Sequence, residues 1–315
     1  MKGAHKALLY TKLNTDTSIS RFGIGSYRNF GEKIDARKSQ KIILHFFDQG
    51  INFIDSSVNY ANGDCEKIIG NTLKKNKLRK SFFIASKVFF SVNKKIKDGL
   101  SKKNIKFSIE RIKKNYKTDF IDCVQCHRFD QNTNLHELVD TFEYYIKKGD
   151  IRYWGTTNWP YDKIIELSKI CKMKKHFIFN QLPLNIFYKK NIKSLSLLKK
   201  RKFINIVYGV LSKGLLSNNF ILNKKTFKTN ENINFKKKNT LKIKKIFDVC
   251  KKYDYSLEEF MYSLINSQKY VDVILCGISS LKHFENLNFE KVLNQKLFKN
   301  YLYEIKQNEK IKNIL

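Results

Sequence analysis

Phe120-Ile-Asp-Cys-Val-Gln-Cys126 is an apolar run of strand length. Leu135, Leu138, Val139, Phe142 and Ile146 follow at helical spacing and form one apolar stripe, which Gly149 closes. A second strand-like run, Ile151-Arg-Tyr-Trp-Gly155, comes next. Working outward, runs of the same kind recur at Phe22–Ser26, Ile51–Asp55, Phe82–Ser86, His176–Asn180, Ile204–Tyr208 and Val271–Cys276. Helical segments lie between them, at Lys41–Gln49 (ended by Gly50), Ser101–Lys114, Tyr161–Cys171, Lys193–Lys200, Leu241–Lys252 and Leu257–Asn266. Strict alternation of strand and helix implies a parallel sheet with helical crossovers. Eight such units within 315 residues predict an α/β fold, a closed (β/α)8 TIM barrel forming a single domain over residues 1–315. No G-x-G-x-x-G follows the first strand, which argues against an open dinucleotide-binding sheet. The first 20 or so residues read as a hairpin over the barrel floor. Residues 290–315 read as a C-terminal helix or tail. Asn223–Asn239, polar and lysine-rich, reads as a long loop after the seventh strand.

Composition narrows the class. At 42% hydrophobic, the chain can bury a large core. No apolar stretch reaches the ~18 residues of a membrane span. The first 14 residues lack an apolar signal core, so a cytoplasmic location is expected. The six cysteines show no framework spacing and read as reduced thiols. The formal charge of +34 comes from lysines scattered along the whole chain rather than gathered in one patch. It is read as a compositional bias that would steer anionic ligands inward. No specific nucleic-acid partner is expected.

In a (β/α) barrel the chemistry sits at the C-terminal ends of the strands. The second strand ends at Asp55, with Tyr60 in the loop beyond; the third ends at Lys87 and the fourth at His127. Singly, each has an ordinary reading: Asp55 as a helix cap (with Ser56, Ser57 and Asp64 as rivals), Lys87 as a solvated cation, His127 as a satisfied polar residue. Together, from three successive strands, they form a proton-transfer set. Tyrosine titrates near ~10. An ammonium beside it is expected to lower that value, with Asp55 orienting Lys87. Tyr60 can then protonate a carbonyl oxygen as hydride reaches carbon, and His127 can orient the carbonyl or relay the proton. Cys123-Val-Gln-Cys126-His127 spells C-x-x-C-H, the haem-attachment pattern. On a strand, residues three apart point to opposite faces, so one haem edge cannot reach both thiols. No metal site is expected.

At these residues the chain resembles the aldo-keto reductase family. Gly50-Ile-Asn-Phe-Ile-Asp55-Ser-Ser-Val-Asn-Tyr60 resembles that family's G-x-N-x-x-D-T-A-x-x-Y signature, with Ser56-Ser57 in place of the usual Thr-Ala. Ala61-Asn-Gly63, Glu66, Gly70-Asn71, Gly99–Asn104, His127-Arg-Phe-Asp130 and Tyr153–Trp159 resemble the branch containing voltage-gated potassium channel β subunits and related plant and bacterial reductases. The likeness runs from about residue 8 to about 290. It implies a catalytic tetrad of Asp55, Tyr60, Lys87 and His127 and NADPH (NADP+) as cofactor. Animal channel β subunits typically carry Asn where His127 stands, so His127 leans toward a working reductase. The resemblance implies nicotinamide contacts from Thr157, Asn158 and Gln181, with the Tyr208 ring stacked on the nicotinamide. Leu211, Ser212, Gly214 and Ser217 resemble the cofactor loop, although Gly209-Val210-Leu211 replaces the usual Ser-Pro-Leu. Gly277 and Ser279 open a phosphate seat at a helix start. His283 and Asn286 fall in the last cofactor helix, and Ser279 with Lys282 is a candidate for the 2′-phosphate. Plain helix capping is the other reading of Ser279 and Ser280. Tyr27, Phe89, Phe90, Arg128 and Trp159 would ring the substrate mouth, or else serve as core packing and, for Arg128, as a surface ion-pair former. The expected activity is NADPH-dependent reduction of a small carbonyl substrate. The alternative is an NADPH-binding redox-sensing or regulatory subunit with slow turnover. A homo-oligomer is expected by analogy with the channel-type relatives.

Overall fold

The computed structural model describes residues 10–222, 230–277 and 287–307. Side chains alternate along each strand, and closing the sheet sends one set inward and the other outward. In β4 (Phe53–Asp55), Phe53 points into the barrel and Ile54 into the shell of helices. In β5 (Phe83–Val88), Phe83 and Ala85 point inward while Ile84 and Val88 point outward. The other staves are β6 (Ile121–Cys126), β7 (Ile151–Thr157), β8 (Phe177–Pro183), β9 (Ile204–Tyr208), β10 (Val273–Gly277) and β3 (Phe22–Gly25). These eight form a closed parallel barrel in the order β10-β3-β4-β5-β6-β7-β8-β9. Every strand-length run predicted from the sequence is one of its staves.

The barrel interior is packed by Phe53, Phe83, Ala85, Cys123, Tyr153, Phe179, Ile206, Val273 and Leu275. A hairpin of β1 (Tyr10–Lys12) and β2 (Ser18–Ser20) lies at the N-terminal end. Its Ile19 is fully buried in this inner cluster, and Asn14 donates to the Tyr153 hydroxyl at 2.8 Å. Cys123 belongs to the inner cluster and Cys126 to the outer one, so the two thiols of the C-x-x-C-H stretch are separated by the sheet. All six cysteines are buried and unpaired.

The outer core holds α1 (Ala36–Asp48), α2 (Asp64–Lys75), α3 (Lys102–Tyr116), α4 (Leu135–Lys148), α5 (Tyr161–Ile170) and α6 (Ile192–Lys200). Local signals set their ends. Asp35, Ser101 and Asn134 accept backbone N–H groups as N-caps, and Gly149 closes α4 in the left-handed region. Phe142 of α4 stacks on Trp154 of β7, with centroids 4.4 Å apart. Beyond β9 come α7 (Asn218–Leu222), α8 (Asn230–Lys252) and α9 (Leu257–Asn266), the last opened by a Ser256–Glu259 capping box. Helices Phe289–Leu293 and Gln295–Gln307 follow the barrel.

One expectation is corrected. The stretch 223–239, read as a loop, contributes its residues from Asn230 onward to α8. Lysines and asparagines hide the helical period there. The buried stripe of Ile243, Ile246, Phe247 and Cys250 emerges only in the second half, and those contacts hold the helix.

Gly155 sits where the register of β7 against β8 shifts. A Cβ there would overlap the carbonyl oxygen of Phe179, which is rigid backbone. Gly155→Ala is therefore expected to lower stability by about 3 kcal/mol, read as a reduced urea midpoint at unchanged slope.

Candidate active site

The inward parity that builds the apolar layer continues one step further toward the C-terminal ends of the strands. Phe53 is followed by Asp55, Ala85 by Lys87, Cys123 by Gln125, Phe179 by Gln181 and Ile206 by Tyr208. A ring of polar side chains thus caps an apolar floor. Asp55, Lys87, Gln125, Thr157 and Gln181 are all buried, and Lys87 is only 1% exposed.

Burying Lys87 requires a partner. Its Nζ donates to Asp55 Oδ1 at 2.5 Å and to the Ser56 carbonyl at 2.8 Å. Burial pushes the Asp55 carboxyl above its ordinary range, while Lys87 and Gln181 pull it back. Tyr60 opens a 3₁₀ turn, Tyr60–Gly63, just past β4. Lys87 Nζ lies 5.4 Å from the centroid of its ring. His127 follows β6, with its backbone N–H on the Val88 carbonyl at 2.9 Å. Its ring meets that of Tyr60 edge-on at 5.8 Å. All four predicted residues therefore converge.

Their electrostatics correct a second expectation. Lys87 was expected to lower the Tyr60 phenol, yet the phenol is held well above its ordinary value. Burial is the main cause and the Asp55 charge the next. Lys87 spends its charge on Asp55 and the Ser56 carbonyl. Burial, then the charges of Lys87 and Arg128, push His127 down to about 2, so its imidazole is neutral.

Of the predicted cofactor residues, Thr157, Asn158, Gln181 and Tyr208 lie at or just beyond the ends of the neighbouring strands β7, β8 and β9. Thr157 donates its hydroxyl to Gln125 Oε1. Asn158 takes a left-handed backbone, donates its N–H to the Gln181 carbonyl at 3.0 Å, and accepts from the Tyr208 hydroxyl at 2.8 Å. Gln181 Oε1 is buried with no hydrogen-bond partner. Leu211 leads into a tight turn, Ser212–Gly214, and Ser217 donates to the Gly214 carbonyl at 2.7 Å. Gly277 ends β10 at the surface, while Ser279, Lys282, His283 and Asn286 lie outside the described residues.

At the mouth, Tyr27 is 53% exposed and its ring lies 4.9 Å from that of Tyr60. Phe90 packs edge-on against His127 at 5.3 Å and against Phe89 at 5.1 Å. The Arg128 guanidinium lies 4.9 Å over Phe90. Trp159 is buried in the outer core against Phe129, so of the two readings its placement matches packing.

Sequence reasoning missed three participants. Gln125 lies on the inward parity two residues before His127, and that spacing could have revealed it. Ser57 touches His127 Nδ1 at 3.2 Å across 70 residues, which no local pattern encodes. The third is Glu66 of α2, fully buried behind Lys87. It accepts from the Ser86 hydroxyl at 2.5 Å and from the Asn115 amide at 2.9 Å. Burial pushes its carboxyl up to about 7. A raised carboxyl contributes stability that is present below its unfolded pKa and lost as pH rises through the folded value. Wild-type stability is thus expected to fall by roughly 3 kcal/mol between about pH 4.5 and 7 from this group. Glu66→Gln should flatten that slope in urea titrations across pH; an unchanged slope would assign it to other groups.

A family model described as the aldo/keto reductase family matches residues 21–302. A probable voltage-gated potassium channel subunit beta of Arabidopsis thaliana is 33% identical over 149 residues, covering 47% of this chain and 45% of that protein. The protein of the same description from Oryza sativa subsp. japonica is 32% identical over 149 residues, with the same coverages. The match thus spans about half the length of these relatives. Among solved structures, the glycerol dehydrogenase of Gluconobacter oxydans superposes with a TM-score of 0.79 at 20% identity, covering 96% of both chains. An aldo-keto reductase from Bacillus halodurans, in its holo form, gives 0.73 at 21% identity, covering 93% of this chain and 96% of that one. At these identities the structures speak to the fold.

Proposed function

The chain belongs to the aldo/keto reductase family, and from that premise we propose that it reduces an aldehyde or ketone to the alcohol, with NADPH as hydride source and Tyr60 as proton donor. The observation that carries this reading is the buried Lys87–Asp55 pair set against the Tyr60 ring, with the His127 ring edge-on to it.

The residues present fit a nicotinamide cofactor. Gln181 Oε1 is a buried acceptor lacking a donor, which suits a carboxamide NH2 group. Asn158 is exposed beside it, and the half-buried Tyr208 ring offers a flat face. These, with Thr157, would hold the nicotinamide. Leu211, Ser212, Gly214, Ser217 and Gly277, with Ser279, His283 and Asn286, would hold the rest. When bound, the cofactor supplies hydride to the carbonyl carbon.

The protein's own groups handle the proton. Burial keeps Tyr60 a neutral phenol, so it carries its proton at physiological pH. It transfers that proton to the carbonyl oxygen as negative charge develops there. Lys87 then faces a forming phenolate and stabilises it across a water-poor site. Asp55 holds Lys87 in place. The neutral His127 ring borders the oxygen position, and Tyr27, Phe90 and Arg128 frame the entrance.

Purified protein with a reactive test aldehyde should consume NADPH and yield the alcohol. The likeness to plant proteins named as channel subunits favours a second reading, an NADPH-binding regulatory subunit. Saturable NADPH binding without turnover of any aldehyde would select it. Among the described residues no helix is long and apolar enough to cross a membrane.

A further inference from the structure

We propose that the carbonyl substrate is an anion: Arg128 takes its carboxylate or phosphate group at the mouth of the barrel while its carbonyl lies against Tyr60 and His127. The proposal rests on the reductase reading and names the substrate class for that site. Arg128 directly follows His127, just beyond β6, and is exposed. Its guanidinium lies 4.9 Å over the Phe90 ring, which is edge-on to His127 at 5.3 Å. Arg28 lies 5.3 Å over the Tyr27 ring, itself 4.9 Å from that of Tyr60. The Tyr60 and His127 rings thus each have a guanidinium one aromatic neighbour away. The Arg128 charge also reaches into the site. Burial, then Lys87, then Arg128 hold the His127 imidazole neutral. Tyr208 ends β9, three strands round the barrel from β6. Burial raises its phenol, and the Asn158 contact and the Arg128 charge oppose that rise.

The bias of the composition sharpens the case. Of the chain's 62 basic residues only eight are arginine, and two of the eight stand at this mouth. Elsewhere arginine is used for a defined contact: Arg21, Arg79, Arg111, Arg152 and Arg201 each donate to a protein oxygen. Arg28 and Arg128 have no carboxylate partner among the described residues. Asp130, two residues beyond Arg128, already accepts from the Leu100 and Asn132 backbone N–H groups and from the Thr133 hydroxyl. A guanidinium is a planar fork that matches a carboxylate or phosphate with two parallel hydrogen bonds. The face of Phe90 holds that plane and keeps water from one side of it. The pair of carbonyl and anion is therefore held across one ring width, the carbonyl at Tyr60 and the anion at the rim.

The test sets para-formylbenzoate and para-formylphenyl phosphate against the neutral para-formylbenzamide, with NADPH and the full chain at about 0.15 M salt. Wild type should favour an anionic aldehyde over the amide by roughly tenfold or more in kcat/KM. The better of the two anions identifies the head group. Arg128→Met should remove most of that preference, and Arg128→Lys should keep part of it. Titration calorimetry of para-(hydroxymethyl)benzoate, para-(hydroxymethyl)phenyl phosphate and para-(hydroxymethyl)benzamide, with and without NADPH, repeats the comparison without turnover. Equal affinity for the anions and the amide in wild type, or affinity for none, overturns the proposal. So does a preference that survives in Arg128→Met of native circular dichroism, since it then belongs to the general positive charge. Charge-selective binding without turnover of any aldehyde strikes the reductase reading alone. Turnover without charge preference strikes this one alone.

Discussion

Tyr60→Phe is expected to lower kcat/KM for aldehyde reduction by roughly 10³-fold or more, about 4 kcal/mol of barrier. The substitution removes one oxygen and leaves the ring. Packing against Tyr27 at 4.9 Å and His127 at 5.8 Å is kept, and NADPH affinity and melting temperature should stay close to wild type. What disappears is the proton that neutralises the carbonyl oxygen. No other group of the tetrad replaces it: Lys87 is held by Asp55 and the Ser56 carbonyl, and His127 is neutral. Steady-state kinetics of both proteins with one aldehyde make the comparison. Equal rates would remove Tyr60 from the mechanism.

Lys87→Met should have the second largest effect, on stability as well as on rate. Methionine replaces the aliphatic stem but leaves Asp55 buried and unpaired. Removing one partner of a buried ion pair typically costs about 3–5 kcal/mol. The loss should be smaller in acid, because an unpaired buried carboxyl takes up a proton and its charge vanishes. A Lys87→Met/Asp55→Leu double variant should recover much of the lost stability, since no charge is left uncompensated. Urea midpoints of the singles and the double close this cycle. Turnover should remain at least about 10²-fold down in all three, because the forming Tyr60 phenolate has lost its ammonium or that ammonium's anchor. Additive single effects on stability would show that the 2.5 Å contact does not couple the two residues.

What the sequence determined by itself is what short-range chemistry encodes. Apolar runs of strand length mark the staves that end near Asp55, Lys87 and His127, where the residues turn polar. Apolar stripes closed by glycine mark the crossover helices. Eight such alternations leave the barrel as the natural closure, and the site then follows at the strand ends. Where local signals are masked, as among the lysines and asparagines of α8, the helix shows only once Ile243, Ile246 and Phe247 are seen buried. Tertiary structure alone decided the rest. The Tyr60 phenol rises rather than falls because burial outweighs the ammonium beside it, and burial belongs to the closed barrel, not to the loop that carries Tyr60. Glu66 becomes a buried carboxyl because α2 packs against α3 and β5. Ser57 reaches His127 because β4, β5 and β6 lie side by side in the sheet. Residues tens of positions apart in the chain acquire a fixed distance only when the sheet closes on itself.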